Sequence, residues 1–121
     1  MSTEVIWSKV KKLEGKDVTT IQGKKFHIYR VTDSDVYYDP LSTKSPGTHW
    51  SYRSTITELA KAIPTMKNRP RVWRLSNISE LCEELSIKGE EQTNSYVLSI
   101  LSAIGVIQHA TAGRVTDHVQ S

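Results

Sequence analysis

The chain has 121 residues, of which 37% are hydrophobic and 24% charged, and 16 Lys and Arg residues against 13 Asp and Glu residues produce a formal net charge of +3. This size and composition predict one small globular domain, or two very small units that share a core, and exclude a large enzyme. No apolar run approaches the roughly 20 residues that cross a bilayer, and the first residues lack a signal-peptide pattern, so we expect a cytoplasmic protein with no membrane partner. The single cysteine, Cys82, excludes an internal disulfide bond.

The first predicted element is a helix that ends at Gly15. It is indicated by apolar side chains at helical spacing, Ile6, Val10 and Leu13. Two stretches rich in β-branched and aromatic residues follow, residues 17–22 and residues 24–31, with Gly23 between them. They predict a β-hairpin.

Two further strands are predicted at residues 36–38 and 49–52, with a loop that contains two prolines and a glycine between them. Together with the hairpin they predict a small, curved antiparallel sheet or partial barrel. A helix follows, for which Thr55 is the predicted N-cap and Glu58 its capping-box partner, and Pro64 is expected to stop it.

The second half of the chain is predicted to contain two short helices and a hairpin. Asn77 is the expected N-cap of the first helix, and Gly89 is expected to close it. The second helix is capped by Thr93 or Asn94 and ends at Gly105. A hairpin formed by residues 106–109 and residues 114–116 completes the predicted α+β fold, in which a small sheet with flanking helices precedes the helical unit.

Charge is distributed unevenly along the chain. Residues 1–75 hold 14 basic and 7 acidic side chains, whereas residues 76–121 hold 2 basic and 6 acidic side chains. We therefore divide the chain into a basic sheet unit at residues 1–63, a basic connector with two prolines at residues 64–75, and an acidic unit at residues 76–121.

The order helix, tight turn, helix and hairpin, with the segment SYVLSILSAIGVI inside it, resembles the helix-turn-helix and wing of winged-helix proteins. The resemblance covers about a third of the chain and implies DNA binding, in which the start of the second helix reads base edges. Carried over by position, the base-reading residues would be Gln92, Thr93, Asn94, Ser95 and Tyr96, and Arg114 at the tip of the wing would contact a phosphate.

The same segment also has features that favour another function. Glu90 and Glu91 precede the reading helix, and carboxylates at that point repel phosphates. The helices and hairpin could instead form a packing unit or a dimerisation surface. The alternative function is therefore a protein-interaction or structural module, such as a homodimer in which the acidic half docks on the basic half.

The basic half combines cations with aromatic residues, as proteins that bind single-stranded nucleic acid do. Alternation along residues 24–31 places Phe26 and Ile28 on one face and Lys25 and Tyr29 on the other. The candidate contacts in this half are Lys24, Lys25, Tyr29, Arg30, Arg69, Arg71 and Arg74. An alternative is that four aromatic residues form the core of a small barrel, namely Trp7, Phe26, Trp50 and Tyr52.

Trp73 in the connector has two possible roles. It could stack on a base beside the arginines, or it could insert into the seam between the two units, and the sequence slightly favours insertion. No active site is recognisable, because the four histidines lack metal-binding spacing and no phosphate-binding glycine loop occurs. The favoured function is thus non-catalytic nucleic-acid binding, as in a small prokaryotic DNA-binding or regulatory protein, with no cofactor, metal or small-molecule substrate.

Overall fold

Five short strands, four α-helices and a single turn of 3-10 helix at Ile63–Thr65 are found in the described part of the chain, which in this computed structural model is residues 2–40, 49–87, 94–107 and 114–117. The strands are β1 (Lys16–Thr19), β2 (Lys25–Val31), β3 (Asp35–Pro40), β4 (His49–Tyr52) and β5 (Arg114–Asp117). The helices are α1 (Thr3–Lys11), α2 (Arg53–Ala62), α3 (Leu75–Glu84) and α4 (Asn94–Ala103). The described residues include no helix that is both long and apolar enough to cross a membrane.

The strands form one antiparallel sheet in the order β4-β3-β2-β1-β5. The predicted α+β class and the predicted β1–β2 hairpin are both confirmed, and Gly23 at the turn has the positive φ of 82° that favours glycine. The sheet is open, with β4 and β5 at its two edges, so it is not a closed barrel.

A β-bulge interrupts the pairing of β2 with β3. Ile28 is opposite Tyr38 and Arg30 is opposite Tyr37, which leaves Tyr29 as the extra residue in β2. Tyr29 and Arg30 are both exposed as a result, whereas Ile28 is buried. The bulge thus places an aromatic residue and a cation next to each other on the solvent side of the sheet.

The last strand differs from the hairpin predicted at the end of the chain. β5 pairs with β1, with Val115 opposite Val18, and residues 106 and 107 form a bend after α4. Gln108 and His109 of the predicted first arm lie outside the described residues. Pairing with β5 satisfies the backbone N–H and C=O groups along the outer edge of β1, whereas a terminal hairpin that paired only with itself would leave this edge unpaired.

Two helices begin earlier than predicted. α2 starts at Arg53 directly after β4, and its backbone N–H donates to the carbonyl oxygen of Ser34, so Thr55 lies inside the helix and is not its N-cap. α3 starts at Leu75, and the Asn77 side chain reaches back from the third helical position to accept the N–H of Arg74 at 2.9 Å. Asn77 therefore satisfies a backbone donor at the start of α3 from a position inside the helix, and it is not the N-cap that was predicted.

Both α3 and α4 end in a left-handed residue. At the end of α4, Gly105 has φ of 86° and Val106 donates to the carbonyl oxygen of Leu101, which confirms the predicted stop. At the end of α3 the left-handed residue is Ser86, with φ of 56°, and not Gly89, which lies outside the described residues.

One hydrophobic cluster contains buried side chains from both the basic and the acidic parts of the chain. α4 lies within it, and five consecutive residues of this helix are buried: Val97, Leu98, Ser99, Ile100 and Leu101. A helix buried on nearly all sides is a core helix, since a surface helix would bury only one stripe. The three-part division of the sequence stays a prediction.

Candidate nucleic-acid interface

The two faces of the sheet differ in what covers them. Phe26, Ile28 and Val36 are fully buried and belong to the same cluster as the apolar residues of the helices, so the helices cover this face. Side chains on the other face alternate with these along β2, β3 and β4, whereas Asp17 and Thr19 on the same face of β1 are buried. Among the side chains of this other face, Trp50 is 47% exposed and Tyr52 is 55% exposed.

Four aromatic residues lie on this uncovered side: Tyr29, Tyr37, Trp50 and Tyr52, which we call the aromatic face. Tyr37 is directly opposite Trp50 across the β3–β4 pair. Its ring centroid lies 6.3 Å from that of Tyr29. Rings on three neighbouring strands therefore lie in a row across the face. The Tyr37 hydroxyl donates to an Asp35 carboxylate oxygen at 3.4 Å, and this hydrogen bond helps to orient the Tyr37 ring.

One cation lies next to this row, and two more lie at the other end of the same strand. Arg30 is directly opposite Tyr37 across the β2–β3 pair and is exposed. Lys24 and Lys25 are exposed at the turn before β2 and at the start of β2. Four of the predicted contact residues, the two lysines, Arg30 and Tyr29, thus belong to one strand and its preceding turn.

Acidic and histidine side chains form the next row of the same face. Asp17, His27 and Asp39 are cross-strand neighbours on β1, β2 and β3. His27 Nδ1 lies 2.9 Å from a carboxylate oxygen of Asp17, and Asp39 is exposed. In the described part of the chain, no group of three His, Cys, Asp or Glu side chains is arranged to hold a metal ion.

Three of the residues predicted to read bases from the winged-helix resemblance, Asn94, Ser95 and Tyr96, belong to α4 and not to the aromatic face. Asn94 is 6% exposed and donates through Nδ2 to the Ser79 hydroxyl at 2.8 Å. The Ser95 carbonyl oxygen accepts the hydroxyl of Ser99 within α4. Gln92 and Thr93, and the side chain of Arg114, are outside the described residues, and the backbone of Arg114 pairs with Thr19 in the sheet.

Tyr96 packs against the core face of the sheet. Its ring centroid lies 5.0 Å from that of Phe26 and 4.7 Å from that of Tyr38. Burial raises the pKa of its hydroxyl above the ordinary value of 10.0. The structure therefore brings Tyr96 to the opposite side of the sheet from the aromatic face.

The connector contributes one core residue and several exposed cations. Trp73 is 1% exposed and belongs to the hydrophobic cluster, which confirms that it inserts into the core rather than stacking on a base. Arg69, Arg71 and Arg74 are exposed, and so is Val72.

A shallow groove runs along α1 beside the first residue of α2. Its lining residues are Glu4, Trp7, Ser8, Lys11, Lys12 and Arg53. The Arg53 guanidinium lies 5.7 Å from the centre of the Trp7 ring and donates to the carbonyl oxygen of Asp33. These contacts connect α1 and α2 to the β2–β3 turn, so we assign them to the packing of the fold.

The sequence predictions did not include Tyr37, Trp50 and Tyr52 among the contact residues. Tyr37 precedes a buried tyrosine, and strict alternation in β3 could have placed it on the solvent side. Trp50 and Tyr52 could not be placed in this way, because β4 is short and only its pairing with β3 shows which side they occupy. The alternative prediction placed four aromatic residues in the core of a small barrel. Two of them, Trp7 and Phe26, are in the core, whereas Trp50 and Tyr52 are exposed.

The sheet and its uncovered aromatic side define an α+β protein with an open antiparallel platform. The chain matches no protein-family model, no curated protein and no solved structure.

Proposed function

We propose that the protein binds single-stranded nucleic acid, without catalysis, on the aromatic face. The observation that carries the proposal is the row of Tyr29, Tyr37 and Trp50 with Arg30 beside it on the uncovered side of the sheet. Unpaired bases stack on exposed rings, and guanidinium or ammonium groups neutralise the phosphates that connect those bases.

The energetic argument concerns both the rings and the charges. Stacking of a base on an aromatic side chain contributes about 1–3 kcal/mol, and it requires a ring that solvent and ligand can reach. Trp50 meets this requirement at 47% exposed, and Tyr29 does so at 42% exposed. Arg30 adds a cation next to the rings, and Lys25 adds another at the start of the same strand.

Binding of a nucleic-acid duplex is less well supported than binding of a single strand. In a duplex the bases are stacked on each other, so their faces cannot contact the rings. Reading a duplex through α4 would require exposed polar side chains, yet Asn94 is buried and Tyr96 packs on the core face of the sheet. Single-stranded DNA or RNA therefore fits the exposed residues better.

Tryptophan fluorescence provides a direct test, because the three tryptophans differ strongly in exposure. Trp50 is 47% exposed, whereas Trp7 and Trp73 are 2% and 1% exposed. Titration with single-stranded oligonucleotides of about 10 nucleotides, at about 50 mM salt where phosphate contacts are strongest, should quench the emission of Trp50. The variant Trp50→Phe should keep most of the affinity and lose the signal, and a fluorescent label on the oligonucleotide would report its binding.

Matched variants separate the aromatic face from the rest of the surface. Trp50→Ala and Tyr29→Ala should each weaken binding at least fivefold, since each removes a stacking ring. Val72→Ala removes an exposed apolar side chain from the connector and should leave the affinity unchanged. Arg30→Gln should weaken binding more than Lys61→Gln, which removes the same charge from the exposed side of α2.

Two results would contradict the proposal. One is the absence of binding to single-stranded DNA and RNA at low salt. The other is a concentration-dependent dimer, seen by sedimentation, in which Trp50 emission changes with protein concentration and not with oligonucleotide; this result would favour the protein-interaction alternative instead.

A further inference from the structure

We infer that Asp39 selects the base that lies on the aromatic face, favouring bases with an exocyclic amino group over thymine and uracil. The inference rests on the proposed function and names the preferred ligand of that site. Asp39 lies on β3 two residues beyond Tyr37, on the same face of the sheet. Two residues of a strand span about 6.6 Å, so a base that stacks on Tyr37 or Trp50 extends its edge over this carboxylate.

The chemistry of an ionised carboxylate decides which base edge it can bind. It only accepts hydrogen bonds. Cytosine presents an N4 amino donor, and a carboxylate is a known partner for that group. Thymine and uracil have no amino group, and their one donor on this edge, N3–H, lies between two carbonyl oxygens that repel a carboxylate.

Asp39 is also the carboxylate on this strand that is available for a ligand. Within the described residues it has no hydrogen-bond or ion-pair partner and is exposed. The other acidic residue of β3 on this face, Asp35, accepts hydrogen bonds from the Ser34 hydroxyl at 2.9 Å and the Tyr37 hydroxyl at 3.4 Å. The cross-strand neighbour His27 uses Nδ1 on Asp17.

The position of Asp39 has a cost that a base contact would offset. A negative charge close to a nucleic-acid backbone weakens binding of every sequence equally. A hydrogen bond to an amino group recovers affinity only for bases that carry one. Discrimination therefore comes from the difference between a paired and an unpaired carboxylate.

The experiment compares oligomers of about 10 deoxycytidines with oligomers of the same number of thymidines, two pyrimidines of similar size. Labelled oligonucleotides report affinity through fluorescence anisotropy, so that base-dependent quenching does not enter the result. The unmodified protein should bind the cytidine oligomer about tenfold more tightly, the range of discrimination expected for a specific base contact. Asp39→Asn should bring the ratio close to one, because an amide both donates and accepts and so pairs with either base.

Asp35→Asn is the matched control, since it removes the same charge from the same face. Its carboxylate is already occupied by two hydroxyl groups, and the side-chain oxygen of asparagine can still accept the Tyr37 hydroxyl and so keep the ring oriented. We therefore expect tighter binding of both oligomers by a similar factor and an unchanged ratio. Equal affinity of the unmodified protein for both oligomers would overturn the inference about Asp39 and leave the proposed function standing. An unchanged ratio in Asp39→Asn would overturn it too, and binding of neither oligomer would remove both proposals.

Discussion

The side-chain amide of Asn94 donates a hydrogen bond to the hydroxyl oxygen of Ser79, 2.8 Å away, and thereby joins the first residue of α4 to the middle of α3. Asn94 is 6% exposed, so this donor is used inside the protein. The winged-helix resemblance implies the opposite use, in which the amide would bind a base edge from the surface.

Replacement of Asn94 by alanine should therefore reduce stability more than binding. We expect Asn94→Ala to lower the free energy of unfolding by about 1–3 kcal/mol, because it removes a partly buried hydrogen bond and leaves a small cavity where the buried side chain was. Urea denaturation at constant salt measures this change. Asn68→Ala, at an exposed asparagine of the connector, is the control and should change stability by less than about 0.5 kcal/mol. A loss of nucleic-acid affinity in Asn94→Ala with normal stability would contradict the structural role.

Ser86 is a site where the backbone conformation disfavours its side chain. Its φ of 56° lies in the left-handed region, where a Cβ atom costs about 1–2 kcal/mol. Glycine removes this cost but gains more freedom in the unfolded chain, so Ser86→Gly should raise the free energy of unfolding by roughly 0.5–1 kcal/mol. Ser76→Gly tests the same replacement within the helical residues of α3 and should lower stability by about 0.5 kcal/mol. Thermal unfolding shifts of opposite sign are the expected result, and shifts of the same sign would disprove the explanation.

The ion pair between Lys11 and Asp33 makes the stability of the folded protein depend on pH. Lys11 Nζ donates to a carboxylate oxygen of Asp33 at 2.7 Å, and this hydrogen bond, with the charge of Lys11, lowers the pKa of Asp33 below its ordinary value of 3.8. A depressed pKa in the folded state stabilises the fold above pH 3.8, and this contribution is lost as the pH falls through the lower folded value.

The carboxyl carbon shift of Asp33, followed by NMR during an acid titration, measures this pKa directly. In Lys11→Met we expect the Asp33 pKa to return towards 3.8, and in Lys12→Met we expect no change. Asp33→Asn should be slightly less stable than the unmodified protein near neutral pH and equally stable once Asp33 is protonated in both states. The difference should be small, because the Asp33 side chain is 88% exposed. An Asp33 pKa that is unchanged by Lys11→Met would rule out the ion pair as the cause.

The thiol of Cys82 should react only when α3 opens. Cys82 is 5% exposed on the buried side of α3, and burial raises its pKa above 9.0, so little thiolate forms at neutral pH. A thiol-specific reagent should modify it many times more slowly in the native protein than in denaturant. A cysteine introduced by Glu83→Cys, in a Cys82→Ala background, is the exposed control one residue away and should react at nearly the rate of an unfolded chain. Equal rates for the two positions would show that α3 does not protect Cys82.

Local patterns were sufficient for the elements that depend on neighbouring residues. Glycine at the β1–β2 turn and alternation of apolar residues in β2 predicted the hairpin, because a turn and a two-residue period act within a few residues. The stop of α4 at Gly105 follows from the same local preference for a positive φ. The starts of α2 and α3 were predicted less well. At both starts a backbone N–H is satisfied by a group that the N-cap pattern does not include: Arg53 donates to the carbonyl oxygen of Ser34, and Arg74 donates to the side chain of Asn77.

The candidate site was only partly predictable. Lys25 and Tyr29 were chosen because alternation separates them from Phe26. Arg30 was chosen for its charge alone, since strict alternation would place it on the side of Phe26, and only the β-bulge at Tyr29 brings it to the exposed side. The local sequence did not show which of Trp50 and Trp73 is exposed, since each lies in a short segment that also contains arginine or tyrosine. Their burial, 47% exposed against 1% exposed, depends on the elements that pack around them.

The sequence by itself determined the class of fold, the β1–β2 hairpin and the order of elements as far as α4, because these follow from local turns and short periodicities. Only the tertiary structure decided which side of the sheet the helices cover, that β5 completes the sheet at β1, and that α4 is a core helix whose Asn94 and Tyr96 are used internally. The physical reason is that burial and strand pairing join residues far apart in the chain. The same alternation in a strand is therefore compatible with an aromatic row in the core or on the surface. Here the helices pack on the other side of the sheet, so Trp50 is exposed to solvent and Tyr37 is partly exposed.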